Sequence, residues 1–345
     1  MLPDLEQYQS VFLIKPSSLG DIVHTLPCAA LIKQAHPKLH LTWVVSPEWM
    51  PLLAGNPTID DLQVFPRKEL RGLKFLPRFR AFARELRAAK PPKPEVALDF
   101  QGLFRSALTA RARRTACVVG LSDARELAPW FYHHTIPVNA NDHAVDRYLT
   151  LVRALNIPVP DAPEQLPFPL PGGDKWDGPL PDQFILLHPY SRGVGKTLSP
   201  EDIGILTRLL SPYQVVLVGI RPPDTPPPPV EKNLHDLSNR TSLMQLLWLM
   251  RQASFVLSVD SGPLHLAAAI TNRLLGIYTW SDPRKVGPYN SHAHIWKAGR
   301  ITHFRDFSDA EAALNLTPGP DDWFRIAHVV HSGMKHGFQP VLLVD

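Results

Sequence analysis

Residues 11–45 read VFLIKPSSLGDIVHTLPCAALIKQAHPKLHLTWVV, and their punctuation decides the fold class. Val11–Ile14 is a short apolar run stopped by Lys15-Pro16-Ser17-Ser18, the mark of a buried strand. From about Gly20 to Ala35, apolar Ile22, Val23, Leu26, Ala29, Ala30 and Ile32 recur at helical spacing. Leu41–Val45 is a second apolar run. A strand, a helix and a strand in close succession imply a parallel pair joined by a right-handed crossover.

The pattern extends in both halves of the chain. Val96–Phe100 predicts a third strand ending in a polar turn, and Val118–Gly120 a fourth. Pro158–Gln183 then carries a density of proline that neither helix nor sheet tolerates, which predicts a linker. Beyond it the alternation restarts: strands at Phe184–Leu187, Gln214–Val218, Ser254–Val259 and Leu274–Tyr278, and helices at Pro200–Leu210, Ser242–Arg251, Pro263–Ile270 and Asp321–His336. The expectation is an α/β protein of two doubly wound domains, 1–165 and 166–345, facing across a cleft, with the closing helix 321–336 a candidate to return onto the first. Ligands of such sheets bind beyond the carboxyl ends of the strands, so the informative residues should follow each strand.

Composition agrees with two domains. The chain has 345 residues, 44% hydrophobic and 20% charged, which is ordinary for a globular protein and excludes disorder as the main state. Cys28 and Cys117 make no disulfide framework and lack metal-ligand spacing, as in a reducing compartment. The first ten residues have no basic region, so a secretory signal is not expected, and no apolar stretch is long enough for a membrane helix. Proline is the outlier at 37 residues, with Pro226–Pro229 reading as a stiff, exposed polyproline loop.

The net charge of +4 lies wholly in residues 1–170, and Arg67–Lys93 holds ten basic residues against two acidic ones. Two readings stand: a solvated arginine-rich helix, or a surface for an acidic partner such as anionic lipid or a phosphorylated substrate. Nucleic acid is not expected, because the apolar residues of the segment pattern as the buried side of a helix.

Four post-strand segments could carry chemistry. In Lys15–His24, Gly20 permits close approach to the backbone, and Asp21 reads either as a helix cap or as a general base at a strand end. In Asp260-Ser261-Gly262-Pro263-Leu-His265, a strand runs into a helix whose first turn offers amide N–H groups to a diphosphate. Pro189–Glu201 brings Arg192 and Lys196 beside two glycines, a cationic loop suited to phosphate. Trp280–Tyr289 follows the last strand. There is no GxGxxG, no GxxxxGK[ST], no HExxH and no DxD pair, so no dinucleotide, metal or other cofactor is expected.

Taken in order, Lys15–Pro27 (KPSSLGDIVHTLP), Asp99–Leu108 (DFQGLFRSAL), Lys196–Glu201, Asp260–Ala269 (DSGPLHLAAA) and Tyr278–Tyr289 make the chain resemble the lipopolysaccharide heptosyltransferases of glycosyltransferase family 9. The resemblance implies a GT-B fold of two Rossmann-like domains. It implies metal-independent, inverting transfer from ADP-heptose to an inner-core acceptor, with Asp21 as base. Lys196, Arg192, Asp260, Ser261, Gly262 and His265 would serve the donor diphosphate. Asp224 would stand where the family carries a ribose-holding Glu, here followed by prolines. Ser18, Gly20, His24, Gln101, Arg105, Arg78, Arg80 and Arg84 would face an acidic, lipid-anchored acceptor. The enzyme would then be cytoplasmic and peripheral at the inner face of the inner membrane. The Lys196 motif departs from the family by continuing Thr-Leu-Ser-Pro rather than Trp-Pro. A related GT-B transferase with another nucleotide sugar or acceptor, a nucleotide-sugar epimerase, and a non-catalytic protein that binds anionic surfaces are the competing readings.

Overall fold

Apolar runs without alternation become strands covered on both faces, and that is how the two sheets of this chain arise. The computed structural model describes residues 2–70, 72, 75–193 and 195–336. The chain divides into two units, Met1–Pro171 and Gly172–Asp345, and the division falls inside the proline-rich stretch.

In the first unit the chain runs β1 (Ser10–Ile14), α1 (Leu19–Ala35), β2 (His40–Val45), α2 (Met50–Leu53), β3 (Asp61–Val64), α3 (Phe75–Ala88), β4 (Glu95–Asp99), α4 (Phe104–Arg113), β5 (Cys117–Leu121), β6 (His134–Ile136) and α5 (Ala144–Ala154). The six strands lie in the order β3-β2-β1-β4-β5-β6, all parallel. Successive side chains of a strand serve opposite faces. Phe12, Ile14, Val44, Ala97 and Val118 meet Phe82 and Leu86 of α3 and Ala110 of α4 in one core. α1 and α5 pack on each other. From Leu19 to Ile32 every residue of α1 except Asp21 is buried, as expected of a helix that is apolar almost all round.

The second unit runs β7 (Phe184–His188), α6 (Pro200–Leu209), β8 (Gln214–Leu217), β9 (Leu234–Asp236), α7 (Leu243–Gln252), β10 (Phe255–Val259), α8 (Gly262–Ala268), β11 (Leu274–Tyr278), α9 (Pro283–Val286), β12 (His294–Lys297), β13 (Arg300–Thr302), α10 (Asp309–Ala313) and α11 (Pro320–His336). Its seven strands lie in the order β13-β12-β11-β10-β7-β8-β9, parallel except for β13 against β12. Ile185, Leu187, Leu257 and Ile277 pack with Ile203 and Leu206 of α6 and with Trp323, Ile326 and Val330 of α11. The indole N–H of Trp323 donates to Asp202 Oδ1 (3.0 Å) and that of Trp296 to Asp322 Oδ1 (3.1 Å), so α11 is tied to α6 and to β12.

The strands and helices anticipated from periodicity are present, with ends displaced by a residue or two. The arginine-rich segment forms α3. Its Arg71 and Lys74, like Val194 of the Pro189–Glu201 loop, lie outside the described residues. Elements not anticipated are α4, α5, the edge strands β3, β6, β9, β12 and β13, and the one-turn helices. Several are three or four residues long, too short for a period to register.

Candidate active site

Each sheet has one point where its strand order reverses, and the loops that diverge there leave a crevice at the carboxyl ends. In the first unit that point lies between β1 and β4. Lys15–Asp21 follows β1, and Asp99–Gly102 follows β4. Ser18 is the N-cap of α1, and its N–H and Oγ–H both donate to Asp21 Oδ2, at 3.0 and 2.7 Å. Asp21 therefore closes the cap, but with one oxygen only. Oδ1 accepts from Tyr148 Oη at 3.1 Å and lies 3.5 Å from Lys15 Nζ.

Lys15 is buried and donates to Tyr148 Oη (2.6 Å) and to the Phe100 carbonyl (2.8 Å). Burial lowers its pKa against the pull of Asp21 and Asp99. For Asp21, burial acts to raise the pKa, but Lys15, the two Ser18 donors and Tyr148 together outweigh it and hold the carboxyl down to about 2. The Asp21 side chain is still 38% exposed against 3% for Lys15, so the carboxylate is the group offered to a ligand. Asp99 is the opposite case. It is fully buried, burial raises its pKa, and its oxygens accept from Gln101 N–H, Gly102 N–H, Ser106 Oγ and Tyr132 Oη at 2.8–3.1 Å. It braces the loop after β4.

Lys15, Asp21, Gln101, Asp123, Arg125, Arg147 and Tyr148 contribute to the lining of a pocket of about 380 Å³. Arg147 pairs with Asp123. A cavity so polar suits a hydroxylated, charged ligand better than an apolar one. Of the acceptor-side candidates, Gln101 lines this pocket, and its Oε1 lies 3.4 Å from Ser17 N. Ser18 stands exposed at its edge, and Gly20 is buried in the first turn of α1. His24 is buried one turn on, edge to face with His143 at 5.4 Å. Arg105 reaches the Leu70 carbonyl and Arg78 the Glu69 carbonyl, while Arg80 and Arg84 are exposed on α3. None of these four arginines belongs to the lining of that pocket.

In the second unit the order reverses between β7 and β10. The Pro189–Glu201 loop and Asp260–Gly262 follow these two strands. Lys196 Nζ contacts Asp260 Oδ2 at 2.5 Å and donates to Ser281 Oγ at 2.6 Å, so three candidate segments meet at one amine. Ser191 Oγ donates to the Asp260 carbonyl, and Thr279 Oγ1 to the Gly195 carbonyl. Ser261 is the N-cap of α8 without a side-chain cap bond, and its Oγ lies 3.4 Å from His188 Nδ1. His188 is buried, and burial lowers its pKa to about 4, so it is neutral. Gly219 has φ +109°, and a Cβ there would stand 2.7 Å from His188 Nε2, so only glycine fits. His265 is buried in α8, while Arg192 and Asp224 are exposed and away from this cluster's hydrogen bonds.

The residues missed from sequence are Tyr148 and Arg147 on α5, and the place of Lys15 beneath Asp21, although Lys15 heads a segment that the sequence singled out. The signal for α5 was present, since Val145, Tyr148, Leu149 and Val152 repeat at helical spacing. Among the described residues no group of three or more His, Cys, Asp and Glu gathers as a metal site, and no helix is long and apolar enough to cross a membrane.

The sequence matches glycosyltransferase family 9 (heptosyltransferase) over residues 79–315. It is 21% identical over 303 residues to the lipopolysaccharide core heptosyltransferase OpsX of Haemophilus influenzae, covering 83% of each chain. It is 25% identical over 303 residues to lipopolysaccharide heptosyltransferase 1 of Escherichia coli K12, covering 84% of this chain and 94% of that one. Among solved structures it is similar to E. coli heptosyltransferase WaaC with ADP, at a TM-score of 0.66 and 23% identity over 83% of this chain and 92% of the other. That likeness makes the fold GT-B, with each unit a Rossmann-like half.

Proposed function

The chain belongs to glycosyltransferase family 9, the heptosyltransferases, and from that membership we propose that it moves heptose from ADP-heptose to a lipopolysaccharide inner-core acceptor, with inversion and without a metal. The observation that carries the reading is Asp21, an accessible carboxylate kept ionised at the mouth of a polar pocket.

The acceptor hydroxyl attacks the anomeric carbon as the bond from that carbon to the diphosphate oxygen breaks. The hydroxyl proton passes to Asp21 and the electron pair leaves with ADP. A base of such low pKa is adequate because the hydroxyl turns strongly acidic only late, as its bond to carbon forms; position matters more than basicity. Tyr148 and Lys15 keep Oδ1 in place, and Ser18 keeps Oδ2. A single displacement inverts the anomeric centre. Asp99 is too buried and too fully hydrogen-bonded to serve as a second nucleophile.

Charge growing on the diphosphate needs compensation worth several kcal/mol. Lys196 and the amides of Ser261 and Gly262 are the groups for it, supported by their shared place at the second switch point. His265 and Arg192 complete the assignment on the resemblance, and Asp224 is assigned to the ribose. Ser18, Gly20, His24, Gln101 and Arg105 are assigned to the acceptor. The exposed arginines of α3, with Trp130 80% exposed in the segment that packs on α4, suit an anionic lipid surface at the cytoplasmic face.

The test is ADP release from ADP-heptose with a deacylated inner-core acceptor, in buffer containing EDTA, with the product's anomeric configuration read by NMR. Transfer that persists in chelator and inverts the configuration is the expected result. Loss of transfer restored by Mg²⁺, a retained configuration, or preference for another nucleotide sugar would overturn the corresponding part.

A further inference from the structure

Lys297 ends β12, and its ammonium is set in unusual surroundings. The residue is 0% exposed, and among the described residues Nζ has no hydrogen-bond partner. Burying an ammonium without a partner is strongly unfavourable. Lys297 pairs with Tyr278 in the parallel ladder, so it stands level with the carboxyl end of β11. The loops after β10 and β11 hold Asp260, Ser281 and Asp282.

The charged groups acting on Lys297 come from three elements. Asp282 after β11 and Asp260 after β10 favour the ammonium, and Lys196 from the loop after β7 opposes it. Burial outweighs them and leaves its pKa below the usual lysine range. Asp282 is already neutralised, with Arg284 Nη2 at 2.9 Å from Oδ2 and Nε at 3.1 Å from Oδ1. Asp260 is met by Lys196. Lys297 is therefore a buried lysine beside the diphosphate candidates, and its neighbouring carboxylates are each met by another cation.

This arrangement answers a difficulty in the donor site. Asp260 is only 6% exposed. When Lys196 turns to a bound diphosphate, it leaves that carboxylate without its partner, and breaking a buried pair in this way is strongly unfavourable. We propose that Lys297 is the reserve counter-ion of Asp260, which lets Lys196 leave that carboxylate and engage the donor diphosphate. Lys297 is a positioning residue. It acts through Asp260 and Lys196 and does not itself touch the reacting sugar. The inference rests on the donor reading given above.

The test is calorimetric titration with ADP of the wild-type protein and of Lys297→Met and Lys297→Arg, with thermal melts of all three. Methionine keeps the length and apolar stem while removing the charge. ADP affinity should fall about 10- to 100-fold in Lys297→Met, the loss expected for one charge-assisted contact. The melting temperature should hold or rise, since an unpaired buried charge has gone. Lys297→Arg should bind ADP more tightly than Lys297→Met. In the wild type, ADP affinity should decline as pH rises and Lys297 loses its proton, and Lys297→Met should lack that decline. Wild-type binding with an unaltered Lys297→Met affinity and pH profile would refute the inference alone. So would a joint loss of melting temperature and affinity with the pH profile intact, which marks a merely structural lysine. A wild-type protein that does not bind ADP would refute the donor reading, and the inference with it.

Discussion

The two switch points share a topology and have opposite electrostatics. At the first, the carboxylate of Asp21 is the exposed group, and Lys15 and Tyr148 are buried behind it. At the second, the carboxylate of Asp260 is buried beside Lys196 and near Lys297, whose Nζ has no hydrogen-bond partner among the described residues. A buried cation behind an exposed anion keeps that carboxylate ionised and open to a ligand. A buried anion with cations beside it would, under the proposed donor role of Lys196, release positive charge to an incoming phosphate. Under the proposed mechanism, equivalent places in the two Rossmann-like units would present a base in one case and receive a leaving group in the other, with the difference set by which sign of charge is covered.

The sharpest way to break this contrast is Asp21→Asn. The amide oxygen can still accept from Ser18, so folding and ADP affinity should hold, while turnover falls at least about a hundredfold, the scale of a lost general base. Steady-state kinetics beside ADP titration checks it. Near-normal turnover would reduce Asp21 to a helix cap.

Tyr148→Phe should have a smaller effect. It removes one donor that lowers the Asp21 pKa, so the acid limb of the rate profile should move to higher pH. Turnover should fall only several-fold, roughly the value of a single supporting hydrogen bond. An unmoved acid limb would show that Tyr148 does not tune the base.

The second unit has its own pH signature in His188. Its folded pKa of about 4 lies below the unfolded value near 6.5, so the unfolded chain binds the extra proton first. Stability is full above pH 6.5 and declines as pH falls toward 4. Melting temperatures of the wild type should drop through that window, and those of His188→Gln should drop less. Parallel curves would place the acid sensitivity elsewhere.

The smallest effect sought separates the basic face of α3 from both sites. Replacing Arg78, Arg80, Arg84 and Arg87 together by Gln should weaken binding to vesicles containing phosphatidylglycerol and abolish most of its salt dependence, since about 10 Å of screening length at 0.1 M falls to about 3 Å at 1 M. ADP affinity should stay unchanged. Equal losses in both titrations would mean that the segment supports the fold, and no loss in either would leave it a solvated helix face.

Much of the fold can be read in the chain because its central strands are covered on both sides. Val11–Ile14, Val96–Leu98 and Ile185–Leu187 are apolar without interruption, and burial on two faces is what makes them so. The edge strands β3, β9 and β13 are short and half exposed, and their composition does not mark them. Asp21, Lys196 and Asp260 could be picked out as candidates from sequence because each follows a strand, and open α/β sheets bind ligands beyond the carboxyl ends of their strands. By itself the sequence determined the two α/β halves, the proline-rich break between them and the segments that end at the crevices. Only the tertiary structure decided the ionisation of those segments. Tyr148 reaches Asp21 across 127 residues, and Lys196 reaches Asp260 across 64. Lys297 is fully buried, and among the described residues its Nζ has no hydrogen-bond partner. A pKa depends on burial and on charges a few ångströms away, and spacing along the chain carries neither.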